Sequence, residues 1–286
     1  MIRVGISGWT YKGWRGTFYP KGLKHRKELE FASREFSSIE INGTHYSLQR
    51  PEVFRRWREE TPKGFVFSVK GSRYITHMRR LEEVEVPLAN FFASGVLALQ
   101  EKLGPFLWQL PPNFRYDPVR LEAFFKLLPR TAEKAARLAR KHDSRMNERS
   151  WTRGGNRRRL RHCLEVRHES FMVPEFFALL RKYRIAFVFA DTAGKWPYAE
   201  DLTSDFVYIR LHGDEELYVS GYDSGTLRLW AKKILRWHEG GQIRKARLVT
   251  SRRLAPKRKR DVYVYFDNDA KVKAPGDARH LEGLLT

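Results

Sequence analysis

The sequence predicts an α/β fold, a single (β/α)8 barrel of the TIM type that takes up residues 1–286 as one domain. Eight short β-rich runs occur along the chain, and a helical pattern lies between most of them. Strands that alternate with helices form a parallel sheet, and eight such units close into a barrel. An open doubly wound sheet is the alternative, but the GxGxxG fingerprint is absent after the first run.

The eight β-rich runs divide the chain at short intervals. They are residues 3–9, 38–42, 65–70, 106–110, 163–168, 186–191, 207–212 and 262–268.

The predicted helices lie between these runs. They cover residues 28–36, 51–60, 87–103, 118–128, 174–183 and 226–237. Four of them start at a proline: Pro51, Pro87, Pro118 and Pro174. Proline suits the first helical position because its missing N–H would have no partner there.

Composition places the chain in a reducing compartment. The single cysteine, Cys163, cannot form an internal disulfide, and no Cys/His spacing for zinc is present. The start at Met1 reads as a strand and not as a signal peptide, and no apolar run approaches the roughly 18 residues of a membrane span. We therefore expect a cytoplasmic protein with no membrane partner. The sequence indicates no organic cofactor and leaves the oligomeric state open.

The charge is strongly positive and unevenly distributed. The net charge is +22 and the pI is about 10.2, which favours anionic partners such as nucleic acid or phosphorylated metabolites. Two basic insertions, about residues 141–161 and 244–260, carry net charges of +6 and +9. Both precede a strand, so a barrel places them at its amino-terminal face. They are either a sequence-independent tether to nucleic acid or solvated loops.

Side chains alternate between the two faces of a strand, and this alternation predicts a polar site. Glu40 and Asn42 share one face of the second run, Glu165 and Arg167 one face of the fifth, and Arg210 one face of the seventh with His212. The outer face packs on helices and must be apolar, so we expect the polar set to point into the barrel near its carboxyl-terminal mouth. Five further members extend this set: Ser68, Lys70, Gln109, Asp191 and Asn268.

The mixture of charges predicts a site for an anion. Lys70, Arg167 and Arg210 would hold a phosphate or carboxylate. Four side chains are candidates for orienting a ligand or transferring a proton: Glu40, Glu165, Asp191 and His212. The remaining candidates for ligand contact are Asn42, Tyr46, His77, Gln109, Tyr222 and Asn268. The alternative is a self-contained network of ion pairs.

An enzyme is the rival hypothesis. His45, His77, His168 and His212 fall at or just after strand ends, where with carboxylates they could ligate a divalent metal, although no HxH, HExxH or DxD spacing is present and no metal ligand is assigned. This hypothesis gives a metal-dependent phosphoesterase, endonuclease-like or sugar isomerase-like enzyme, with a hydrolase acting on a phosphate ester as the first guess. A non-catalytic binding module is the third hypothesis.

Aromatic side chains crowd the loop after the first strand: Trp9, Tyr11, Trp14, Phe18 and Tyr19. With Lys12 and Arg15 they are either a stacking platform for bases or a lid that packs over the barrel mouth. Ser7 lies in a string that resembles a nucleophile elbow but lacks its final glycine, so we do not expect a nucleophile there.

Several strings together resemble a known family. They are Gly5-Ile6-Ser7-Gly8-Trp9-Thr10-Tyr11, Glu40-Ile41-Asn42 with Thr44-His45-Tyr46, Phe65-Val66-Phe67-Ser68-Val69-Lys70, Leu107-Trp108-Gln109-Leu110-Pro111-Pro112, Glu165-Val166-Arg167-His168, Tyr208-Ile209-Arg210-Leu211-His212-Gly213 and Tyr263-Val264-Tyr265-Phe266. This set is similar to the YecE-like family, domain of unknown function 72.

The resemblance implies a barrel fold and no established reaction. Members of that family are similar in structure to type IV apurinic/apyrimidinic endonucleases and to sugar isomerase-like barrels, which implies nucleic-acid binding. The last-strand motif of the family usually reads Phe-Asn-Asn-Asp, and here Asp267 stands in place of its first Asn. The basic insertions are also longer than is typical of the family.

Overall fold

Eight parallel strands form a closed barrel in the order of the sequence, which confirms the predicted (β/α)8 architecture. The computed structural model describes residues 1–154, 158–251 and 259–286. The barrel closes where Val4 on the first strand pairs with Val264 on the last. The strands are β1 (Ile2–Ser7), β2 (Ser38–Ile41), β3 (Val66–Lys70), β4 (Leu103–Gln109), β5 (His162–Glu165), β6 (Ala186–Asp191), β7 (Phe206–Leu211) and β8 (Asp261–Phe266).

Helices cover the outside of this barrel. They are α1 (Glu28–Glu35), α2 (Gly43–Tyr46), α3 (Pro51–Glu60), α4 (Glu85–Ala93), α5 (Pro118–Leu127), α6 (Ala132–Ala139), α7 (Pro174–Lys182), α8 (Ser224–His238) and α9 (Lys273–Gly283). Short 3-10 segments add Lys12–Trp14, His25–Lys27, Val96–Lys102, Ser144–Met146 and Glu169–Phe171, and Tyr74–Met78 forms one π-helical turn.

Proline starts three of the predicted helices as expected, since Pro51, Pro118 and Pro174 begin α3, α5 and α7. The fourth prediction, one helix over residues 87–103, is wrong. Helix α4 ends at Ala93, and Gly95 adopts a left-handed φ of 113° before a 3-10 segment begins. A Cβ at Gly95 would lie 2.5 Å from Cα of Pro51, so the tight contact with α3 requires glycine at this break.

Three helices depart from the sequence prediction, which did not contain them. Helix α2 lies between β2 and α3, α6 lies between α5 and β5, and α9 follows β8. Residues 192–205, all of which are described, run from β6 to β7 without forming a helix. Among the described residues, no helix has the length and apolar composition needed to cross a membrane.

The buried residues form two layers, one outside the barrel and one inside it. Val4, Ile6, Ile39, Phe187 and Phe189 belong to the outer layer between strands and helices. The inner layer consists of Leu107, Cys163, Ala186, Val188, Ala190, Phe206, Tyr208, Tyr263 and Tyr265. This division fixes which residues of each strand point inward, because alternate residues face opposite sides.

Tyrosine hydroxyls complete the inner layer. Tyr208 OH lies 2.6 Å from Oγ of Ser68, and Tyr265 OH lies 2.6 Å from Oγ of Ser38. Small side chains on β6 leave room for these rings. The inside of the barrel therefore becomes more polar toward the carboxyl ends of the strands, where the candidate site lies.

Candidate functional site

Arg210, on β7, is the centre of a buried ion cluster. Its side chain has no solvent exposure, and its guanidinium contacts three carboxylates. Nη2 lies 2.9 Å from Oε1 of Glu40 and 2.8 Å from Oδ2 of Asp267, and Nη1 lies 2.8 Å from Oε2 of Glu165. Nε, Nη1 and Nη2 of Arg210 all donate to side chains of the protein, so the guanidinium has no nitrogen left for a ligand. The structure therefore places Arg210 in the support of the site and not in its ligand-binding surface.

Glu40, on β2, is similarly occupied. It accepts hydrogen bonds from Oγ of Ser7 at 2.5 Å and from the hydroxyl of Tyr208 at 2.6 Å, besides those of Arg210. Ser7 in turn accepts a hydrogen bond from Nδ2 of Asn42 at 2.9 Å. Ser7 and Glu40 are thus buried parts of the network.

Glu165, at the end of β5, joins the cluster to the mouth. Its Oε1 accepts a hydrogen bond from Nε2 of Gln109 at 2.8 Å and one from Nε of Arg167 at 2.9 Å. Burial alone would raise the pKa of Glu165, but the positive charges of Arg167 and Arg210 outweigh it and hold the pKa well below its usual range. Glu165 is therefore ionised and is not a proton donor near neutral pH.

Asp267 and His212 are the remaining members of the cluster around Arg210. Nδ1 of His212 lies 3.1 Å from Oδ2 of Asp267, and its Nε2 accepts from Nη1 of Arg210 at 3.2 Å. Burial raises the pKa of Asp267, but Arg210 and the hydrogen bond with His212 lower it well below normal. Burial and the charge of Arg210 lower the pKa of His212, so this imidazole is neutral.

Arg167 lies at the boundary between the cluster and solvent. Its guanidinium carbon lies 3.7 Å from the ring centre of Trp196, which belongs to the helix-free connection between β6 and β7. Nη2 donates to the hydroxyl of Tyr218 at 3.3 Å. Stacking on an indole and one ion pair with Glu165 leave this cation oriented toward the mouth.

Lys70, at the end of β3, is a buried cation of a different kind. It is 8 % exposed, yet within residues 1–154, 158–251 and 259–286 its ammonium has no hydrogen-bond or ion-pair partner. Burial and the charge of Arg210 lower its pKa to about 8, although Asp267, Glu40 and Glu165 act in the opposite direction.

A cavity of about 1330 Å³ opens above Lys70 at the carboxyl-terminal mouth. Its lining contains the cations Arg26, Arg56, Arg73 and Arg167 together with Lys70, against the carboxylates Glu60, Asp267 and Asp269. Four of the predicted ligand-contact residues also line it: Asn42, Tyr46, His77 and Gln109. Tyr46 is 70 % exposed, so its ring is free to contact a ligand.

Two neutral imidazoles stand beside Lys70. Nδ1 of His45 donates to the carbonyl oxygen of Gly71 at 2.8 Å, and the rings of His45 and His77 lie 5.1 Å apart. Burial and the positive charge of Lys70 lower the pKa of His45 to about 3 and that of His77 to about 4. Both rings are therefore uncharged at neutral pH.

Asp269 is a site residue that the sequence reasoning missed. It follows β8, lines the cavity and is partly buried. Burial and the neighbouring charge of Asp267 raise its pKa to about 6, so it exchanges protons near neutral pH. Asp267 was likewise treated only as a departure from the family motif. The signal that identifies both is the alternation that continues from Tyr263 and Tyr265.

Three predicted site residues lie elsewhere, and this corrects the expectation that they face the mouth. Asp191 shares the outer face of β6 with Phe187 and Phe189, and it is hydrogen-bonded to Tyr222. Tyr222 is buried against Phe266 on the outside of the barrel.

Asn268 also faces outward. Its Nδ2 donates to the carbonyl oxygen of Ser220 at 2.9 Å and to Oδ2 of Asp277 at 2.8 Å. Its neighbour Asp267 occupies the inward position, so the strand is one residue out of phase with the prediction.

The candidate metal ligands do not converge. His168 caps the segment Glu169–Phe171, where it accepts from the backbone N–H of Ser170 at 3.1 Å. In the part of the chain that the structure describes, no group of three or more His, Cys, Asp or Glu side chains has an arrangement that could hold a metal ion. The carboxylates that meet inside the barrel are bonded to Arg210 instead.

The aromatic loop after β1 packs on the barrel. Trp14 and Tyr19 are about 1 % exposed, and Tyr19 OH donates to the carbonyl oxygen of Trp9 at 2.6 Å. Trp9 and Tyr11 line the cavity, but Tyr11 directs its hydroxyl to the carbonyl oxygen of Ser7 at 2.6 Å. The loop is therefore mainly a packed wall, as in the lid interpretation.

The described parts of the two basic insertions lie at the opposite end of the barrel. Trp151 N–H donates to the carbonyl oxygen of Ala93, which ties the first insertion to α4. Arg159 and Arg161 pair with Asp205, just before β7. Residues 155–157 and 252–258, which include Lys257 and Arg258, lie outside the described residues.

Comparison with known proteins agrees with this architecture. The sequence model of the family described as "Protein of unknown function DUF72" matches residues 3–286. The chain is 32 % identical over 128 residues to UPF0759 protein YecE of Escherichia coli (strain K12), which covers 45 % of the chain and 43 % of that protein. It is 29 % identical over 119 residues to UPF0759 protein YunF of Bacillus subtilis (strain 168), covering 40 % and 41 %. The matched part thus spans less than half the length of these relatives.

Solved structures are similar over the whole chain. A DUF72 family protein from Thermotoga maritima superposes with a TM-score of 0.73 at 23 % identity, covering 100 % of this chain and 99 % of that one. A DUF72 family protein from Enterococcus faecalis gives a TM-score of 0.71 at 15 % identity, covering 100 % and 95 %. At these identities the similarity shows the fold.

Proposed function

The chain belongs to the DUF72 family of proteins of unknown function, and we propose that it binds a phosphate-bearing anion in the cavity at the carboxyl-terminal mouth of its barrel. The observation that carries the proposal is the ammonium of Lys70. It is buried in this cavity and, among the residues described, it has no partner. A buried charge without a partner is unfavourable, and an anionic ligand would supply the missing one.

Two further cations support this assignment. Arg73 lines the cavity, is exposed and has no ion-pair partner within the described chain. Arg167 is held in place by Trp196 and Glu165. Guanidinium groups bind phosphate through paired hydrogen bonds, which suits Arg73 and Arg167 to the outer part of the ligand. Tyr46 and Trp57 offer aromatic faces for an attached ring.

The experiment is a calorimetric titration with inorganic phosphate and with adenosine monophosphate. Arg73→Ala should weaken binding about 10-fold, since one charge-assisted contact contributes roughly 1.5 kcal/mol. Arg137→Ala, on the outer helix α6, is the matched control and should change the affinity less than about twofold. Wild-type protein that binds neither anion would refute the proposal.

The geometry favours binding over metal-dependent phosphate-ester hydrolysis. In that rival function, carboxylates near the mouth would coordinate the ion, whereas here Glu40, Glu165 and Asp267 are bonded to Arg210. Hydrolysis of a chromogenic phosphate ester that requires added Mn²⁺ or Zn²⁺ and is lost in Asp269→Asn would reverse this preference.

Attraction of nucleic acid to the amino-terminal face is a second candidate function. A smaller cavity of about 230 Å³ at that face is lined by Arg130, Arg159, Arg161, Lys182 and Arg184, with Asp205. Such a cluster, next to the basic insertions, suits the neutralisation of backbone phosphates.

Salt dependence tests this second function. Neutralising the basic stretch Lys257, Arg258, Lys259 and Arg260 should flatten the dependence of log K on log salt concentration for a labelled single-stranded oligonucleotide, by about 0.7 for each phosphate that the variant no longer neutralises. Arg73→Ala, at the opposite end of the barrel, should leave that slope as it is. An unchanged slope in the neutralised variant would reject the tether.

A further inference from the structure

Two lysines of the described chain are buried, and they differ in the hydrogen bonds of their ammonium groups. Lys102 and Lys70 are 6 % and 8 % exposed. Nζ of Lys102 donates to the carbonyl oxygens of Arg58 and Thr61, both at 2.6 Å, and to Oγ1 of Thr61 at 3.0 Å. Lys70 has no comparable donor–acceptor contact to any described residue. Lys102 is thus built into the fold, and Lys70 is directed into a cavity.

The lack of hydrogen bonds favours the uncharged amine of Lys70. An ammonium needs acceptors for its three protons, whereas a free amine is tolerated in a buried site. With a pKa of about 8, roughly a tenth of the side chain is free amine at pH 7, against well under a thousandth for an ordinary lysine. A free amine is a nucleophile.

We propose that the amine of Lys70 forms a Schiff base with a small aldehyde or ketone that also carries a phosphate or carboxylate group. The inference rests on the proposed function, because the same cavity would hold the anionic group. Arg73 and Arg167 line that cavity together with Lys70. A ligand that reaches from these arginines to Lys70 must therefore place its carbonyl group at the inner end and its anion at the outer end.

The reaction balances without an added redox partner. The nitrogen lone pair attacks the carbonyl carbon, an N–C bond forms, and the oxygen becomes a hydroxyl group. The two amine hydrogens and this oxygen then leave as one water molecule, which gives the imine. The protein must supply a proton acceptor for the nitrogen and a proton donor for the departing oxygen.

Asp269 lines the same cavity as Lys70 and can serve in both roles. Burial and the charge of Asp267 raise its pKa to about 6, so near neutral pH its ionised form accepts the proton of the nitrogen and its protonated form donates one to the leaving oxygen. His45 and His77 also line the cavity, and as uncharged rings they leave the amine without a further positive neighbour.

Reductive trapping tests the inference. The protein is incubated at pH 7 with glyceraldehyde 3-phosphate and sodium cyanoborohydride, and peptide mass spectrometry then locates the secondary amine. We expect Lys70 to be labelled at least 10-fold faster than Lys102, the buried lysine with satisfied hydrogen bonds, and faster than the exposed Lys63. Inorganic phosphate should slow labelling of Lys70 and not of Lys63. Labelling of Lys70 no faster than that of Lys63 would overturn the inference.

Variants separate this inference from the proposed function. Lys70→Arg keeps the charge but cannot form an imine, so no secondary amine should be found at position 70. Thermal unfolding checks that this variant is folded. Glycerol 3-phosphate, which has no carbonyl group, measures anion binding alone. Binding of glycerol 3-phosphate without trapping at Lys70 would reject the Schiff base and keep the anion site. Absence of both would reject the anion site as well.

The pH dependence of trapping gives an independent readout. The labelling rate of Lys70 should rise with pH and level off above its pKa of about 8. A rate at Lys70 that parallels the rate at Lys63 counts against the proposal. The charged and titratable groups that face Lys70 are Glu40, His45, His77, Glu165, Arg210 and Asp267.

Discussion

Nη2 of Arg210 lies 2.8 Å from Oδ2 of Asp267, so the arginine of β7 is bonded to the first residue after β8. Asp267 is the position at which the YecE-like motif usually has Asn. Here it supplies a third carboxylate to Arg210, beside Glu40 and Glu165. Arg210 is thus at the centre of the cluster, and Lys70 lies at its solvent side, where it lines the cavity.

Replacing Arg210 should therefore destabilise the fold. Arg210→Met leaves Glu40, Glu165 and Asp267 buried without their common partner, and breaking a buried ion pair in this way costs about 3–5 kcal/mol. Urea unfolding should show this loss in the free energy of unfolding. Arg137→Met, which breaks an exposed pair with Glu133, should change it by less than about 1 kcal/mol. A loss below about 1 kcal/mol in Arg210→Met would contradict the assigned role.

Acidification from pH 7 should destabilise the protein through the buried imidazole of His45. His45 has a pKa of about 3 in the folded state, mainly because of burial, and about 6.5 when unfolded. Between these values the unfolded chain binds more protons, so stability falls as pH falls. From pH 7 to pH 5, His45 should account for a loss of about 2 kcal/mol.

The variant His45→Gln isolates this contribution. Its loss of unfolding free energy between pH 7 and pH 5 should be smaller than that of the wild type by about 2 kcal/mol. His280→Gln, at an exposed position of α9, should behave like the wild type. Identical losses in all three proteins would show that His45 titrates normally.

Trp196 should matter for ligand affinity more than for stability. It orients Arg167 by stacking, an interaction that contributes about 0.5–2 kcal/mol. Trp196→Leu should weaken binding of adenosine monophosphate about 3- to 10-fold in a calorimetric titration. Trp196→Phe keeps an aromatic face and should lose less. Equal affinity in the Leu variant and the wild type would mean that the stack does not hold Arg167 for a ligand.

Gly71 should tolerate no side chain. A Cβ at this position would lie 2.3 Å from Cε3 of the buried ring of Trp108, and such overpacking costs about 1–3 kcal/mol. Because Gly71 follows Lys70 and accepts the hydrogen bond of His45, the Ala variant should also trap less aldehyde at Lys70. Gly13→Ala, which meets nothing within 4 Å, is the control and should stay within about 0.5 kcal/mol. A fully stable Gly71→Ala protein would show that Trp108 can shift.

Most strands were predictable because β-rich runs, prolines and short connections agree with one another. Among the helices, α6 and α9 were not. Helix α9 contains Pro275 and Gly276, which argue against a helix in isolation, so packing against β1 and α8 must outweigh local preference. Helix α6 had a detectable signal, because Thr131 accepts a hydrogen bond from the N–H of Lys134 as an N-cap.

Site prediction succeeded where one face of a strand was clearly polar and failed where it was not. In β2, Ile39 and Ile41 leave no doubt that Glu40 points inward. In β8, both faces carry large side chains, so the sequence does not distinguish them. The hydrogen bond between the hydroxyls of Tyr265 and Ser38 shows that Tyr265 points into the barrel.

The same ambiguity explains the misplacement of Asp191 on β6. Small residues occupy the inside of that strand because tyrosines of β7 and β8 fill the barrel, and a single sequence does not reveal this packing. The role of Arg210 required coordinates, since three partners from distant strands determine it.

The second basic insertion is fixed at its base by two buried carboxylates. Asp201 accepts from the N–H of Val249 at 2.7 Å and from Oγ1 of Thr250 at 2.5 Å, and Glu200 accepts from the N–H of Arg247 at 2.9 Å. Residues 247–250 therefore hold one position on the barrel, and the single positive charge among them, that of Arg247, acts from a fixed point. A polyanion that meets this stretch encounters an already ordered surface, so the entropy of immobilising it does not subtract from the attraction.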